Sequence, residues 1–218
     1  RMSAPTGDAR ADRWRAHRAT VKADLIEATL RAIDEYGPDL SIDDVVKAAG
    51  VPRPKLYRFF TDKETLFAAV GERMQELIVQ RVMPCFHVTA TALELVSSAL
   101  TAYIDLVAER PNLFRFVVGS HFSDDHSRTK LLENGRNLSS AMTEVLAAMV
   151  RTRGGDGDHL EYTADAILGA VALGVLRWLN EPTISKDELI TQLTPVIWGA
   201  VSAAATARGV VIAPEEQM

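Results

Sequence analysis

The feature that most constrains this chain is a pair of short helical patterns joined by one glycine. Residues 41–49 place apolar side chains at helical spacing, and residues 51–63 begin a second segment after Gly50. Ser41 and Asp44, three residues apart, have the spacing of a helix N-terminal capping box. Gly50 can adopt the positive φ of a tight turn, which a side chain would oppose. Helix, glycine turn and helix together predict a helix-turn-helix, whose second helix enters the major groove of DNA.

Longer helical patterns flank this pair and supply partners for its apolar faces. The spacing of apolar residues predicts a first helix over 19–36, which ends at a Gly-Pro pair. Thr61 and Glu64 predict a second capping box, at the start of a helix that continues to Pro84. We therefore expect a three-helix head over residues 19–66.

Side chains suited to DNA recognition are concentrated on the second short helix and at the start of the next. Arginine or lysine can bind the O6 and N7 atoms of guanine, and lysine or tyrosine can bind a phosphate. The set comprises Arg53, Lys55, Tyr57, Arg58 and Lys63. The alternative is an ordinary exposed basic helix on which Tyr57 is half-buried packing, because helix-turn-helix patterns also arise by chance. The local pattern favours DNA binding.

Composition predicts an all-α protein in a reducing compartment. The 218 residues are 47% hydrophobic and 6% aromatic, without runs of β-branched alternation. A single cysteine, Cys85, excludes an internal disulfide framework and is expected to be an inert thiol. The net charge of −5 divides into +2 for residues 1–63 and −7 for residues 64–218. A basic head on an acidic body can bind phosphate locally.

The first 18 residues predict a flexible basic arm. They contain Arg10, Arg13, Arg15 and Arg18, and their polar start lacks the apolar core of a secretory signal. Such an arm is either a solvated tail or a segment that lies in the minor groove beside the helix-turn-helix. The polar N-terminus also predicts a cytoplasmic protein.

Residues 67–218 predict a larger helical body. Its last two helices, over 159–180 and 185–208, are apolar nearly all round and rich in alanine and glycine. Helices of this kind must be covered on both sides. Threonine, glutamine, serine and proline within the last helix disfavour a membrane span. We therefore expect the two helices to form a homodimer interface.

The head resembles the DNA-binding domain of the TetR (tetracycline-repressor) family of bacterial transcriptional regulators. The family pattern is a long first helix ending in glycine, a serine or threonine starting helix two, Ala-Gly-Val, Leu-Tyr, a phenylalanine and Lys-Glu-x-Leu. The matching positions are Gly37, Ser41, Ala49-Gly50-Val51, Leu56-Tyr57, Phe60, Lys63-Glu64 and Leu66. The body resembles the family only in size, helix count and its apolar final pair.

The resemblance implies roles for the DNA-binding candidates. Tyr57 and Lys63 are expected to bind phosphates, and Ser41 to cap helix two near the DNA backbone. The positions that vary with operator sequence are Arg53, Lys55 and Arg58.

Two prolines depart from the family pattern. Pro52 and Pro54 flank Arg53 and remove two N–H donors from the helix end that would face phosphate. We therefore expect side chains to take over the phosphate contacts at this end.

The resemblance further implies a homodimeric repressor of a palindromic operator, released by a small effector bound in the body. Aromatic, methionine and histidine side chains of the middle helices are candidates for a largely apolar effector pocket. They are Tyr103, Phe114, Phe116, His121, Phe122, Met142, Met149 and Trp178. Each of them can equally be core packing, because such side chains at helical spacing fill cores first.

Enzymatic and metal sites have weaker support in the sequence. Gly-x-Ser-x-Gly, Walker and His-Glu-x-x-His motifs do not occur. Residues 121–126 fit a polar loop better than a metal site, and no cofactor is expected. Two alternatives stay open. One is a helical small-molecule-binding protein without specific DNA recognition, and the other is a helical enzyme.

Overall fold

The computed structural model describes residues 7–122 and 136–218, with side chains for residues 9–118 and 138–218. These residues form helices joined by turns, which confirms the all-α prediction. The first four helices are α1 (Gly7–Tyr36), α2 (Ile42–Ala49), α3 (Arg53–Tyr57) and α4 (Lys63–Val82). After a 3₁₀ turn over Met83–His87 follow α5 (Ala92–Glu109), α6 (Pro111–Phe122), α7 (Arg136–Arg151), α8 (Glu161–Asn180) and α9 (Lys186–Thr206).

The chain divides into two compact units within α4. The first unit ends at Val70, and the second runs from Gly71 to Met218. From here on, the names head and body refer to these two units of the structure. The division lies about one helical turn after the boundary predicted between residues 66 and 67.

The core of the head forms where α1 packs against α2 and where α2 meets α3. Its most deeply buried side chains come from all of the head helices and include Leu30, Ile33, Val45, Leu56, Phe60 and Leu66. The short helices therefore depend on α1, whose apolar stripe they cover.

The connection between α2 and α3 has the geometry that its sequence predicts. The Asp44 backbone N–H donates to Ser41 Oγ at 3.3 Å, and the Ser41 N–H donates to the Asp44 carboxylate at 2.8 Å. Gly50 has a φ of 63° and donates its N–H to the Val46 carbonyl at 3.0 Å. The capping box and the left-handed glycine are both confirmed. They determine where α2 begins and ends, and so where the chain turns into α3.

The start of α4 differs from the prediction by one residue. Asp62 Oδ1 accepts a hydrogen bond from the Thr65 N–H at 2.6 Å, and α4 begins at Lys63. The predicted capping box of Thr61 and Glu64 is therefore wrong. An aspartate at this position satisfies a free N–H group, and its charge also interacts favourably with the helix dipole.

The prediction of a flexible arm over residues 1–18 is wrong from residue 7 onward, because α1 begins at Gly7 rather than at Ala19. Residues 7–18 contain several alanines and arginines, which favour helix, and no proline. Arg15 forms an ion pair with Asp12 one turn earlier, and Arg13 donates to the Ala9 carbonyl at 3.2 Å. Such local contacts support an exposed helix.

The body is organised around α5, which contacts the 3₁₀ turn, α6 and α9, while α7 packs on α8. Thr91 and Glu94 cap the start of α5 reciprocally. Residues 123–135, between α6 and α7, lie outside the described residues.

The segment after α9 returns to the start of α5. The Ala92 N–H donates to the Glu216 carbonyl at 2.9 Å, and the Leu93 N–H donates to the Pro214 carbonyl at 3.0 Å. The Arg153 guanidinium binds the Glu216 carboxylate at 2.7 Å. The returning segment thus satisfies N–H groups that have no partner within the first turn of α5.

The last two helices place large apolar side chains on the surface of the body. Tyr162 and Leu173 of α8 are 76% and 60% exposed, and Val196 of α9 is 55% exposed. Both helices are also long and apolar enough to cross a membrane by length and composition. Apolar surface of this kind is typical of a buried interface.

Candidate DNA interface and ligand pocket

Helix α3 is a short platform held by two buried anchors. Pro52 precedes its first residue with an extended backbone, at φ −68° and ψ 147°. Leu56 and Phe60, four residues apart, are each 1% exposed. A helix of five residues is not stable alone, so burial of these anchors holds α3 in place.

The predicted DNA-binding side chains lie on the surface of the head. Arg53, Lys55, Tyr57 and Arg58 occupy α3 and its C-terminal end, and Lys63 is the first residue of α4. All of them are exposed, and Tyr57 at 41% is not part of the core of the head. The head therefore presents cationic and hydrogen-bonding groups along one short segment.

Ser41 lies outside that segment and has a different task. Its hydroxyl and its backbone N–H are both engaged with Asp44 in the capping box. These hydrogen bonds lower the pKa of Asp44, so the carboxylate stays charged at the start of α2. Ser41 thus positions α2, on which α3 packs.

Two contacts orient the cationic groups. Arg53 Nη1 lies 3.5 Å from Asp43 Oδ1, and both side chains are mostly exposed. An exposed pair of this length contributes little, so Arg53 can exchange Asp43 for a base or a phosphate. Lys63 Nζ lies 5.0 Å from the centroid of the Phe67 ring, an orienting cation–π contact.

Main-chain donors are sparse at the start of α3. Pro52 and Pro54 have no N–H, and the Lys55 N–H already donates to the Pro52 carbonyl at 2.9 Å. A phosphate placed here meets few backbone donors. Side-chain donors must then supply most of the contacts.

Sequence reasoning missed Arg18, the residue of α1 that holds α3 in place. Arg18 Nη2 donates to the Arg58 carbonyl at 3.0 Å, at the C-terminal end of α3. Its guanidinium lies 4.7 Å from the ring centroid of Phe59 and 5.7 Å from that of Trp14. The cation thus pairs with a free carbonyl and two aromatic faces. The spacing of Trp14 and Arg18 places them on one face of α1, but only the tertiary structure brings Phe59 there.

The body contains a cavity of about 1240 Å³. Side chains of α4, α5, α6, α7, α8 and α9 line it, together with the 3₁₀ turn and the end of the chain. The lining is mostly aliphatic, aromatic and methionine side chains, so the cavity suits an apolar molecule.

Of the eight predicted pocket residues, four line this cavity. They are Tyr103, Phe114, Met142 and Met149. The side chains of His121 and Phe122 lie outside the described residues. The remaining two, Phe116 and Trp178, do not line it.

Phe116 and Trp178 point elsewhere for separate reasons. Phe114, Val117 and Val118 line the cavity from one face of α6, and Phe116 falls on another face, where it is buried. The Trp178 ring N–H donates to the Ile184 carbonyl at 2.9 Å. Trp178 therefore stabilises the connection between α8 and α9.

A few polar groups interrupt the apolar lining. Burial raises the pKa of Tyr103, so its hydroxyl stays protonated and able to donate a hydrogen bond. Gln75 is 5% exposed, and its Oε1 has no hydrogen-bond partner within the described residues. Arg153 lines another part of the cavity while it binds Glu216.

Sequence reasoning missed Gln75 and Arg153 because aromatic and methionine side chains are the stronger signal for an apolar pocket. Gln217 and Met218 also line the cavity, because the returning segment lies against α5. No local signal in residues 213–218 predicts that return. Within residues 7–122 and 136–218, no group of three or more His, Cys, Asp or Glu side chains could hold a metal ion.

Two family models match the chain. The model described as bacterial regulatory proteins of the tetR family matches residues 25–70, which include the helix-turn-helix. The model described as a tetracyclin repressor-like C-terminal domain matches residues 81–212, which include most of the cavity.

Similar proteins match over most of their length. An uncharacterised HTH-type transcriptional regulator of Mycobacterium tuberculosis is 31% identical over 207 residues, or 93% of this chain and 86% of that protein. The HTH-type transcriptional activator FasR of Mycolicibacterium smegmatis is 23% identical over 181 residues, or 82% of this chain and 81% of FasR.

Solved structures share the fold. A tetR-family transcriptional regulator from Streptomyces coelicolor has a TM-score of 0.65 at 21% identity, covering 87% of this chain and 83% of that one. The transcriptional regulator FadR from Bacillus subtilis, in complex with stearoyl-CoA, has a TM-score of 0.64 at 20% identity. That match covers 83% of this chain and 97% of FadR.

Proposed function

Because this chain belongs to the TetR family of bacterial transcriptional regulators, we propose that it is a ligand-responsive repressor acting as a homodimer on a palindromic operator. Membership makes the chain a DNA-binding regulator rather than an enzyme, so the enzyme alternative is set aside. The observation that carries the proposal is the row of exposed cationic and hydrogen-bonding side chains along α3 and the start of α4.

The exposed side chains divide into two proposed roles. Arg53, Lys55 and Arg58 read base edges in the major groove, where arginine and lysine favour guanine. Tyr57 and Lys63 bind phosphates and set the register of the head on the duplex. The few main-chain donors at the start of α3 support this division, because they leave phosphate binding to side chains.

We assign these roles to two functional domains, whose boundary lies about one helical turn before the division within α4. Residues 19–66 form the DNA-binding domain, and residues 67–218 form the effector-binding and dimerisation domain. Residues 1–18 precede the DNA-binding domain as a basic segment. As a DNA-binding regulator, the protein acts in the cytoplasm, where bacterial DNA lies.

The homodimer forms through α8 and α9. Tyr162, Leu173 and Val196 are more than half exposed in the single chain, and a second copy would cover them. In such a dimer the two α3 helices would lie about 34–36 Å apart and enter successive major grooves of a palindrome.

The dimer is tested by mass in solution. We expect twice the chain mass of 23.8 kDa by analytical ultracentrifugation. Leu173→Glu should shift the protein toward the monomer, because the charge would be buried in the interface. The matched control is Val211→Glu, which changes an 81% exposed valine beyond α9 and should leave the dimer intact. A wild-type protein that stays monomeric at micromolar concentration contradicts the assembly.

The effector is an elongated and largely apolar molecule. Ala92 and Tyr103 both line the cavity and lie about 16 Å apart along α5, at about 1.5 Å per residue. FadR, which shares the fold, is known in complex with stearoyl-CoA. We propose that an acyl chain or a group of similar shape fills this cavity and weakens DNA binding.

The regulatory function is tested with DNA that flanks the gene of the protein itself. Fluorescence anisotropy should show salt-sensitive binding of a labelled fragment, and stearoyl-CoA, used as the probe, should weaken it. No binding to any flanking fragment at low salt contradicts specific DNA recognition and favours a small-molecule-binding protein. Binding that is insensitive to acyl-CoA esters of several chain lengths contradicts only the effector class.

The direction of regulation needs a separate measurement, because the similar protein FasR is an activator. In an in vitro transcription assay on the bound fragment, we expect the protein to lower transcript yield. A higher yield would make it an activator, with the same DNA-binding residues.

A further inference from the structure

The N-terminal turns of α1 carry a row of side chains that continues the core stripe of the head outward. Leu25, Ala28 and Ala32 lie on the face of α1 that points into the core. Counting back by three or four residues, the same face continues through Val21, Arg18, Trp14 and Arg10. Arg10 therefore lies on the side of α1 that meets α3, but one turn beyond Trp14.

The groove between α1 and α3 is basic. Side chains around a space of about 200 Å³ include four that are cationic or can become so, and no carboxylate. The lining residues are Trp14, His17, Arg18, Val21, Lys55, Arg58 and Phe59. Like charges gathered in this way repel one another, and an anion beside the groove would relieve that repulsion.

The cations of this row differ in how they are engaged. The Arg18 guanidinium is held between two rings and the Arg58 carbonyl, so its task is to position the end of α3. Arg15, on another side of α1, forms an ion pair with Asp12. Arg10 is exposed, and no ion pair joins it to another residue of the described part of the chain.

Arg10 lies beyond Arg18 on α1, on the side of that helix that meets α3. Arg18 touches the C-terminal end of α3, and Arg10 lies about 12 Å farther along α1, at about 1.5 Å per residue. Phosphates border the major groove on both sides, so a cation that extends outward from the recognition helix can reach one of them.

We propose that the N-terminal turns of α1 form a second DNA-contacting surface, in which Arg10 binds a backbone phosphate beside the groove occupied by α3. His17 lies about two turns from Arg10 on the same face and adds a second hydrogen-bonding group. Trp14 and Arg18 hold this surface against α3. The partner is the phosphate backbone of duplex DNA, so the contact does not depend on base sequence. This inference rests on the proposed use of α3 as the recognition helix.

The test uses the full-length protein and a labelled 30-bp duplex of random sequence, because phosphate contacts need no operator. Binding is measured by anisotropy at several salt concentrations. Arg10→Ala should weaken binding and reduce the slope of log K against log salt by about 0.9 for each phosphate that the protein no longer neutralises. Arg10→Lys should restore the slope, because it keeps the charge. Alanine favours helix, so Arg10→Ala should keep the helical circular dichroism signal.

The matched control is Arg15→Ala, which removes the same charge from the same exposed helix. Arg15 lies about 140° around the helix from Arg10, at about 100° per residue, so its removal should leave the slope unchanged. Equal slopes for Arg10→Ala and Arg15→Ala, with a reduced slope for Lys63→Ala, would overturn this inference and leave the proposed function intact. An unchanged slope for Lys63→Ala as well would instead count against the proposed phosphate contacts of the head.

Discussion

The head and the body differ in where their candidate binding residues lie. The head exposes its proposed DNA-binding side chains on and just after a five-residue helix, and two buried residues, Leu56 and Phe60, hold that helix in place. The body turns side chains of six helices inward around a cavity of about 1240 Å³. A surface site needs rigid support beneath it, whereas a cavity needs a core that is left incompletely filled.

This difference determines which changes should affect which site. In the head, the proposed DNA binding depends on a few exposed groups and on the local contacts that orient them. In the body, the proposed effector binding depends on the shape of a cavity to which distant segments contribute. Substitutions can therefore separate the two units experimentally.

The largest effect is expected from removing an anchor of the head. Phe60→Ala should lower the free energy of unfolding of the head by about 3–5 kcal/mol, because a fully buried aromatic ring is removed. DNA binding should disappear, while the body should still bind the apolar fluorophore 1-anilinonaphthalene-8-sulfonate. Leu146→Ala, which removes a buried leucine of the body, is the reciprocal control. If each variant abolished both activities, the head and body would not be separable units.

A smaller effect is expected from removing one of the proposed base-reading side chains. Arg53→Ala should cost about 1–3 kcal/mol in discrimination between the operator and a variant that lacks the contacted base pair. The exposed ion pair with Asp43 contributes little, so the stability of the head should not change. The measurement compares dissociation constants for the two duplexes. Arg31→Ala, an exposed arginine of α1 outside the α3 surface, should leave the ratio unchanged.

The body is tested by filling its cavity. Val96, a half-buried residue of α5, lines the cavity, and Val96→Trp should occupy part of it. We expect the affinity for 1-anilinonaphthalene-8-sulfonate to fall tenfold or more, a change of about 1.4 kcal/mol, with DNA affinity retained. Val96→Ile, which adds one methylene group, should bind the fluorophore nearly as well as the wild type. Unchanged binding to Val96→Trp would place the fluorophore elsewhere.

The smallest effect concerns the cap of α2 and depends on pH. Hydrogen bonds from Ser41 lower the pKa of Asp44 below its ordinary value of 3.8. The folded pKa is the lower one, so the stabilisation is present above pH 3.8 and disappears as the pH falls through the folded pKa. Asp44→Asn should therefore flatten the acid limb of the stability curve in urea titrations. Asp39→Asn, a carboxylate outside the capping box, should leave that limb as in the wild type.

Features of the head that involve neighbouring residues could be predicted from the sequence. The Ser41 cap and the Gly50 turn each depend on groups within four residues, so their patterns carry the information. The predicted start of α4 is one residue too early, because Thr61 and Asp62 are both suitable caps and only the folded geometry chooses between them. The predicted start of α1 is too late in the chain, because the helical turns before Ala19 bury little apolar surface and show no clear amphipathic stripe.

The pocket could be predicted only in part. Tyr103, Phe114, Met142 and Met149 line it as their residue types suggest, whereas Trp178 has the same character and binds the Ile184 carbonyl instead. Residue type indicates that a side chain prefers burial, but not whether it faces a filled core or an open space. That choice depends on helix rotation and packing.

The amino-acid sequence by itself determined the helical class, the helix-turn-helix and the chemistry of its exposed face, because helical periodicity, caps and glycine turns act over a few residues. The tertiary structure alone decided which residues share a site. Arg18 reaches Phe59 and the end of α3 across about 40 residues of chain, and Arg153 and Glu216 meet across about 60 at the cavity wall. Contacts of that range depend on how the helices pack, and no local pattern records them.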